Sequence, residues 1–99
     1  MNYNSVDQFL AIAKVLEDTG VSAYDGAVKL IRDPGLLTAA ATIATVEARH
    51  AAYLRLITGD IPFPAAFDTA KTMQEILAAV DPFIVSCSRP NPNIGEWKP

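Results

Sequence analysis

The stretch from Ile43 to Leu54 places a carboxylate and an imidazole in the middle of an apolar helical stripe. It contains no glycine or proline and many good helix formers, so it predicts a helix interior. Burying either polar group without a partner costs several kcal/mol. The sequence therefore requires Glu47 and His50 to be satisfied by hydrogen bonds, by an ion pair or by a metal. On a helical wheel the stripe consists of Ala40, Ile43, Ala44, Glu47, His50, Ala51, Leu54 and Ile57.

The composition is that of a single folded, mostly helical domain over residues 1–99. Half of the residues are hydrophobic (51%) and only 19% are charged, which excludes a disordered chain. A chain of this size leaves much of its surface exposed, so a composition this apolar indicates a surface for a partner.

Charge and hydropathy patterns exclude several classes of partner. The net charge is −3, both signs are interspersed, and no basic block with aromatic residues occurs, so we expect no nucleic-acid binding. The apolar runs are shorter than the roughly 20 residues of a membrane span, so we expect none. We also expect no secretion signal at Met1, which leaves the localisation open, because a secreted parent chain could have lost one. The single Cys87 predicts no internal disulfide and is best explained as a small hydrophobe.

Capping signals divide the first part of the chain into two long helices. A Ser-Val-Asp-Gln capping box at Ser5 predicts a first helix over residues 5–32. An Asp-Pro-Gly break follows, and its Asp33 is placed to cap a second helix over residues 34–58, after which a glycine ends the pattern. So short a connection makes the two helices an antiparallel hairpin.

The second part of the chain carries weaker signals. The apolar segment Ile61–Pro64 predicts an extended connection that packs over the end of the hairpin. An interaction patch over Ile61–Phe67 is the alternative, and cover for the end of the bundle is the simpler account. A Thr-Met-Gln-Glu capping box at Thr72 predicts a short third helix over residues 72–81. Residues 86–99 are rich in proline and predict an extended tail.

The first helix also has an apolar inner face. Glu17 falls on the inward side of this helix despite its charge. Gly20 and Gly26 each weaken a helix by up to about 1 kcal/mol relative to alanine, so they indicate close approach of another helix. The apolar face is predicted to contain Phe9, Ala13, Leu16, Gly20, Ala23, Ala27 and Ile31. The solvated face is predicted to contain Asp7, Ala11, Lys14, Asp18, Asp25, Lys29 and Arg32.

The inward-facing polar residues of the two helices lie at similar distances along the hairpin from the break at Asp33. From the break at Asp33, Glu17 lies sixteen residues back, Glu47 fourteen residues on and His50 seventeen residues on. At a rise of about 1.5 Å per residue, all three lie within roughly one helical turn of each other along the hairpin. The sequence therefore predicts that these three side chains converge.

Two interpretations of this polar group fit the residues. In the first it is a buried hydrogen-bonded pair of Glu47 and His50, with Arg49 or a tyrosine as a further partner. The position of Arg49, roughly 100° round the helix from His50, favours a solvated side chain. In the second it is a metal site, because Glu-x-x-His on an inner helix face is the half-site of carboxylate-bridged metal bundles. Tyr24 lies about two turns from Glu17 on the same face. In a metal site it would hydrogen-bond a ligand or be oxidised, and otherwise it belongs to the ordinary core.

Four segments resemble the ferritin-like domain of desiccation-related and stress-associated proteins. The longer two run from Glu17 to Ala27 and from Ala41 to Ala52, and the shorter two are Pro62–Asp68 and Pro82–Cys87. The resemblance covers nearly the whole chain, and its most specific part is the Glu-Ala-Arg-His block. It implies a four-helix bundle in which one helix gives a Glu and its neighbour gives Glu-x-x-His, and a second helix pair repeats this pattern around two metals.

Carried over by position, the resemblance assigns Glu17 to the lone Glu, and Glu47 and His50 to the Glu-x-x-His. Members of the family have two such helix pairs, whereas this chain resembles only the second. Either the chain is a fragment, or copies of it complete the bundle as a homodimer or higher homo-oligomer through the inner helix faces. A dimer would supply four Glu and two His, the number used by the di-iron site of such bundles.

The fold prediction is all-α: an antiparallel helical hairpin plus a short third helix, forming half of a ferritin-like four-helix bundle that dimerisation completes. The resemblance implies a carboxylate-bridged di-metal centre of iron or manganese, with iron oxidation or peroxide handling as its chemistry. Whether the protein is an enzyme stays open. The alternative is a non-catalytic, stress- or desiccation-associated structural or interaction protein with a metal-free polar core. A truncated piece without a function of its own is the third possibility.

Overall fold

The computed structural model describes residues 5–84, and over this range the fold is all-α, as predicted. Two long helices form a hairpin, a short third helix follows, and none of these residues forms a β-strand. None of the helices in this range is long and apolar enough to span a bilayer. The predicted tail over residues 86–99, including Cys87, lies outside the described residues.

Helix α1 spans Val6–Ala27 and passes into a 3-10 turn at Val28–Leu30. Its first turn is capped by the side chain of Ser5, which accepts a hydrogen bond from the backbone N–H of Gln8. The α-helix ends before the predicted limit at residue 32, because the backbone is extended at Ile31 (φ −86°, ψ 117°). Asp33, which directly precedes Pro34, is extended as well (φ −74°, ψ 122°), as expected since proline disfavours α conformation in the residue before it.

Helix α2 spans Pro34–Ile57 and helix α3 spans Met73–Val80. Asp33 caps α2 by accepting a hydrogen bond from the N–H of Leu36 at 2.8 Å. Thr72 opens α3 with both hydrogen bonds of a capping box: its N–H donates to Oε2 of Glu75 at 2.8 Å, and its hydroxyl accepts from the Glu75 N–H at 3.3 Å. A 3-10 turn over Asp81–Phe83 follows α3.

Ion pairs show that α1 and α2 run antiparallel. Asp18 pairs with Arg55, and Lys14, one turn earlier on α1, pairs with Asp60 just beyond α2. Lys14 and Asp18 were assigned to the solvated face, and that assignment is wrong, since both are half-buried. The reason is that each reaches a partner of opposite charge on the neighbouring segment, a contact that helical periodicity does not reveal.

The two long helices bury only part of their apolar stripes. The most buried side chains are Thr19 and Val21 on α1 and Ala40 and Ala51 on α2. Other members of the predicted inner faces remain exposed, because two helices touch along one edge of each stripe and leave the rest uncovered. These exposed apolar residues are Phe9, Leu16, Ile43 and Ile57.

The connection between α2 and α3 takes a different path from the one predicted. The prediction that Ile61–Pro64 covers the end of the hairpin is wrong, since Phe63 is 81% exposed and the following Phe67 is 88% exposed. The connection instead crosses α1, where the N–H of Lys71 donates to the carbonyl of Ser22 at 3.2 Å. This crossing places α3 against α1.

Candidate metal centre

Glu17 and His50 face each other across the hairpin. Oε1 of Glu17 lies 3.3 Å from Nδ1 of His50. The Glu17 side chain is 28% exposed and the His50 side chain 58% exposed, so the pair lies at the edge of the helix–helix contact. The convergence that the residue count predicts is therefore present for these two side chains.

Glu47 completes the group from the same face of α2, one turn before His50. Its carboxylate lies against Gly20 of α1, one turn after Glu17: a Cβ at position 20 would lie 3.0 Å from Cδ and 3.2 Å from Oε1 of Glu47, and closer still to Oε2. Oε2 is buried and has no hydrogen-bond partner among the described residues. Because residue 20 is a glycine, there is space beside α1 for the carboxylate of Glu47.

Burial raises the pKa of Glu47 above the ordinary value of a glutamate. The nearby carboxylate of Glu17 raises this pKa further, whereas the imidazole of His50 lowers it. Both neighbours therefore lie close enough to act on Glu47 electrostatically, and the three predicted residues form one local group.

Two further residues were assigned roles around this group. Tyr24 lies on α1, is half-buried, and its hydroxyl forms no hydrogen bond with any other residue between 5 and 84. Its role as a hydrogen-bond partner of a ligand residue stays a prediction. Arg49 is exposed to solvent, as its position on α2 predicts.

The donor set suits a hard or borderline divalent cation. Two carboxylates and one imidazole are the ligands of carboxylate-bridged iron and manganese sites, and a buried carboxylate oxygen without a partner is a natural ligand atom. Within residues 5–84, however, no three side chains of Asp, Glu, His or Cys are grouped so as to hold a metal ion by themselves. Within one hairpin, the donor atoms of Glu17 and His50 are turned toward each other.

The sequence matches a known protein family over the two long helices. The family model described as a ferritin-like domain matches residues 1–60, a range that contains α1, α2, Glu17, Glu47 and His50. No curated protein and no solved structure matches the chain. Because the matched range is well over half of the 99 residues, the chain belongs to the ferritin-like domain family.

Proposed function

We propose that this protein binds a carboxylate-bridged di-metal centre of iron or manganese, with Glu17, Glu47 and His50 as ligands from each of two subunits. The carboxylate of Glu47 carries the proposal. It lies between two helices with one oxygen buried and without a partner, and its pKa is raised by burial and by Glu17. A cation between the carboxylates would remove both penalties, because it supplies the missing partner and offsets the repulsion between them.

A second copy of the chain is the partner that we propose. The inner faces of α1 and α2 leave Phe9, Leu16, Ile43 and Ile57 exposed around the Glu17–His50 pair. Two hairpins that meet through these faces would cover the apolar side chains and form a four-helix bundle. The same arrangement brings four Glu and two His together, the ligand number of such centres.

Bound iron would supply redox chemistry with dioxygen or peroxide, so iron oxidation or peroxide handling is the reaction class that we propose. In that reaction Glu17 and Glu47 would neutralise the charge of the cations, and the apolar side chains around them would limit access of water. A role in desiccation or another stress follows from the resemblance of the sequence and belongs to the same proposal.

The test is the metal content of each chain after anaerobic loading with Fe(II) and, separately, with Mn(II). The oligomeric state of the same sample is measured by light scattering. We expect about one metal per chain in a dimer, since a dimer would rebuild a two-metal centre. A well-folded dimer that takes up no metal would contradict the proposal.

The second candidate function is that of a structural or interaction protein with a metal-free polar core. One observation favours it: Glu17 and His50 already lie 3.3 Å apart and can satisfy each other without a cation. In this case the Glu47→Ala variant would be less stable than the unmodified protein, and neither of the two would bind metal. Metal titration of the unmodified protein and of this variant therefore separates the two functions.

A further inference from the structure

Gly20 occupies a position where glycine is unfavourable for the helix. It lies within α1, seven residues before the α-helix ends at Ala27. Glycine is among the poorest helix formers, since it loses the most backbone entropy on folding. A helix interior that keeps glycine therefore indicates that a Cβ at this position would interfere with something else.

The atoms that a Cβ would meet all belong to one functional group. The three nearest heavy atoms are Oε2, Cδ and Oε1 of Glu47. The contact at Gly26, on the same helix, differs, because there the nearest atoms are backbone atoms of Lys71. The space left by Gly20 is thus filled by a carboxylate, whereas the space left by Gly26 is filled by main chain.

We infer that Gly20 is a positioning residue for the candidate metal centre: the missing side chain sets how deeply the Glu47 carboxylate lies between the helices. This inference rests on the proposed function for its consequence in metal binding. The carboxylate lies at the end of a flexible side chain, so a methyl group at position 20 displaces it without separating the helices. The displaced carboxylate no longer presents its buried oxygen at the level of Glu17.

Co(II) provides the probe for the metal-binding consequence, because its visible absorption reports the ligand geometry. We compare the unmodified protein with the variants Gly20→Ala, Glu47→Asp and the double variant. Gly20→Ala should weaken Co(II) binding by about 10- to 100-fold, the usual loss when a supporting contact of a ligand is removed, and should change the absorption spectrum. In the Glu47→Asp background the same substitution should cause much less further loss, because the shorter side chain withdraws the carboxylate from the new methyl group.

Unfolding of the metal-free protein tests the steric contact itself. At one fixed protein concentration, Gly20→Ala should change the midpoint of thermal unfolding little when residue 47 is glutamate, because displacement of the carboxylate offsets the gain in helix propensity. In the Glu47→Ala background it should raise the midpoint, because the space is then open and alanine favours the helix more than glycine does. If Gly20→Ala alone does not fold, the recovery of folding in the Gly20→Ala/Glu47→Ala double variant reports the same contact.

The two measurements separate the inference from the proposed function. Unmodified protein that binds no Co(II), together with a larger rise of the unfolding midpoint in the Glu47→Ala background, would contradict the metal centre and keep Gly20 as the residue that positions Glu47. Equal midpoint shifts in both backgrounds, or unchanged Co(II) affinity in Gly20→Ala, would overturn the inference and assign Gly20 to the spacing of the two helices.

Discussion

His50 presents Nδ1 to the carboxylate of Glu17, with 3.3 Å between Nδ1 and Oε1, across the two long helices of the hairpin. The second ring nitrogen, Nε2, lies on the opposite side of the imidazole, and either ring nitrogen of a histidine can bind a partner. Many metal-binding histidines are oriented by a carboxylate beside one ring nitrogen while the other binds the cation. In the proposed centre, Glu17 would orient His50 in this way as well as bind a metal itself.

Glu47→Gln should change metal uptake and stability in opposite directions. The substitution removes a charge that is buried beside Glu17, so the metal-free protein should unfold at a higher temperature at pH 7. Metal uptake should be lost, because the neutral amide cannot replace the carboxylate as a bridging ligand. The measurements are the thermal midpoint without metal and the iron content after loading.

Glu75→Gln is the matched control for this variant, since Glu75 belongs to the capping box of α3 and is exposed. It should leave iron uptake unchanged. A Glu47→Gln protein that keeps its iron would contradict the assignment of this residue as a ligand. A loss of stability instead of a gain would indicate that the carboxylate is part of a hydrogen-bonded network.

Ile43→Glu should prevent self-association. Ile43 is exposed on the same face of α2 as Glu47, one turn away, and the proposed dimer would bury it. A carboxylate at this place would have to lose its water, and we expect a dimer dissociation constant at least about 100-fold higher, which corresponds to about 2.7 kcal/mol. Analytical ultracentrifugation measures this change. Thr45→Glu, at another exposed position of α2, should leave the constant nearly unchanged unless the dimer forms through a different face.

The contribution of Asp25 to the stability of the hairpin should decrease as the pH rises past its titration. Burial raises the pKa of this carboxyl, and the charge of Asp68 raises it further. A group whose pKa is raised by folding adds stability below its unfolded pKa, about 3.9 for an aspartate, and that contribution is lost as the pH rises through the folded pKa. Asp25→Asn should therefore flatten this part of the stability profile and stabilise the protein at pH 7.

Chemical denaturation between pH 3 and pH 7 measures this profile. Asp68→Asn removes only the smaller cause, so it should reduce the pH dependence in part and leave the effect of burial. An unchanged slope in Asp25→Asn would mean that other carboxyl groups are responsible for it.

Gly26→Ala should release the connection from α1. A Cβ at this position would overlap the carbonyl oxygen of Lys71 and lie 2.9 Å from its carbonyl carbon, and backbone atoms cannot move aside as a side chain can. We expect a loss of about 1–3 kcal/mol in the free energy of unfolding, the usual range for overpacking. Hydrogen exchange should also become faster at the Lys71 amide, which donates to Ser22.

Lys71→Ala tests whether the backbone or the side chain of Lys71 would overlap a Cβ at position 26. It removes the side chain of Lys71 but keeps the carbonyl group, so it should not rescue Gly26→Ala. If Lys71→Ala restored the stability of Gly26→Ala, the overlap would instead involve the side chain of Lys71.

The starts of the helices and the level of the polar residues could be predicted because they depend on local signals. Asp33 and Thr72 form the capping hydrogen bonds that their sequence contexts indicate. The count from Asp33 predicts the convergence of Glu17 and His50 since the rise per residue of an α-helix is nearly constant. The same count includes Gly20, thirteen residues before the break, and this was the available signal for its contact with Glu47.

The burial pattern and the path of the connection could not be predicted in the same way. Periodicity defines the faces of a helix but not its rotation against a neighbour, so Thr19 and Val21 were not expected to be the most buried residues of α1. The apolar character of Phe63 and Phe67 suggested a covered segment. The main chain at Lys71 determines the actual route instead, and no side-chain pattern encodes a backbone contact of this kind.

The crossing of the connection over Gly26 also has a consequence for how the sequence can change during evolution. Every missense change at position 26 adds at least a Cβ, which would overlap the main chain of Lys71, and no replacement of the Lys71 side chain removes that overlap. At Gly20 a second change at Glu47 can restore the fit. Among related chains, positions 20 and 47 should therefore vary together, whereas glycine at position 26 should identify those in which the chain crosses the first helix after the hairpin.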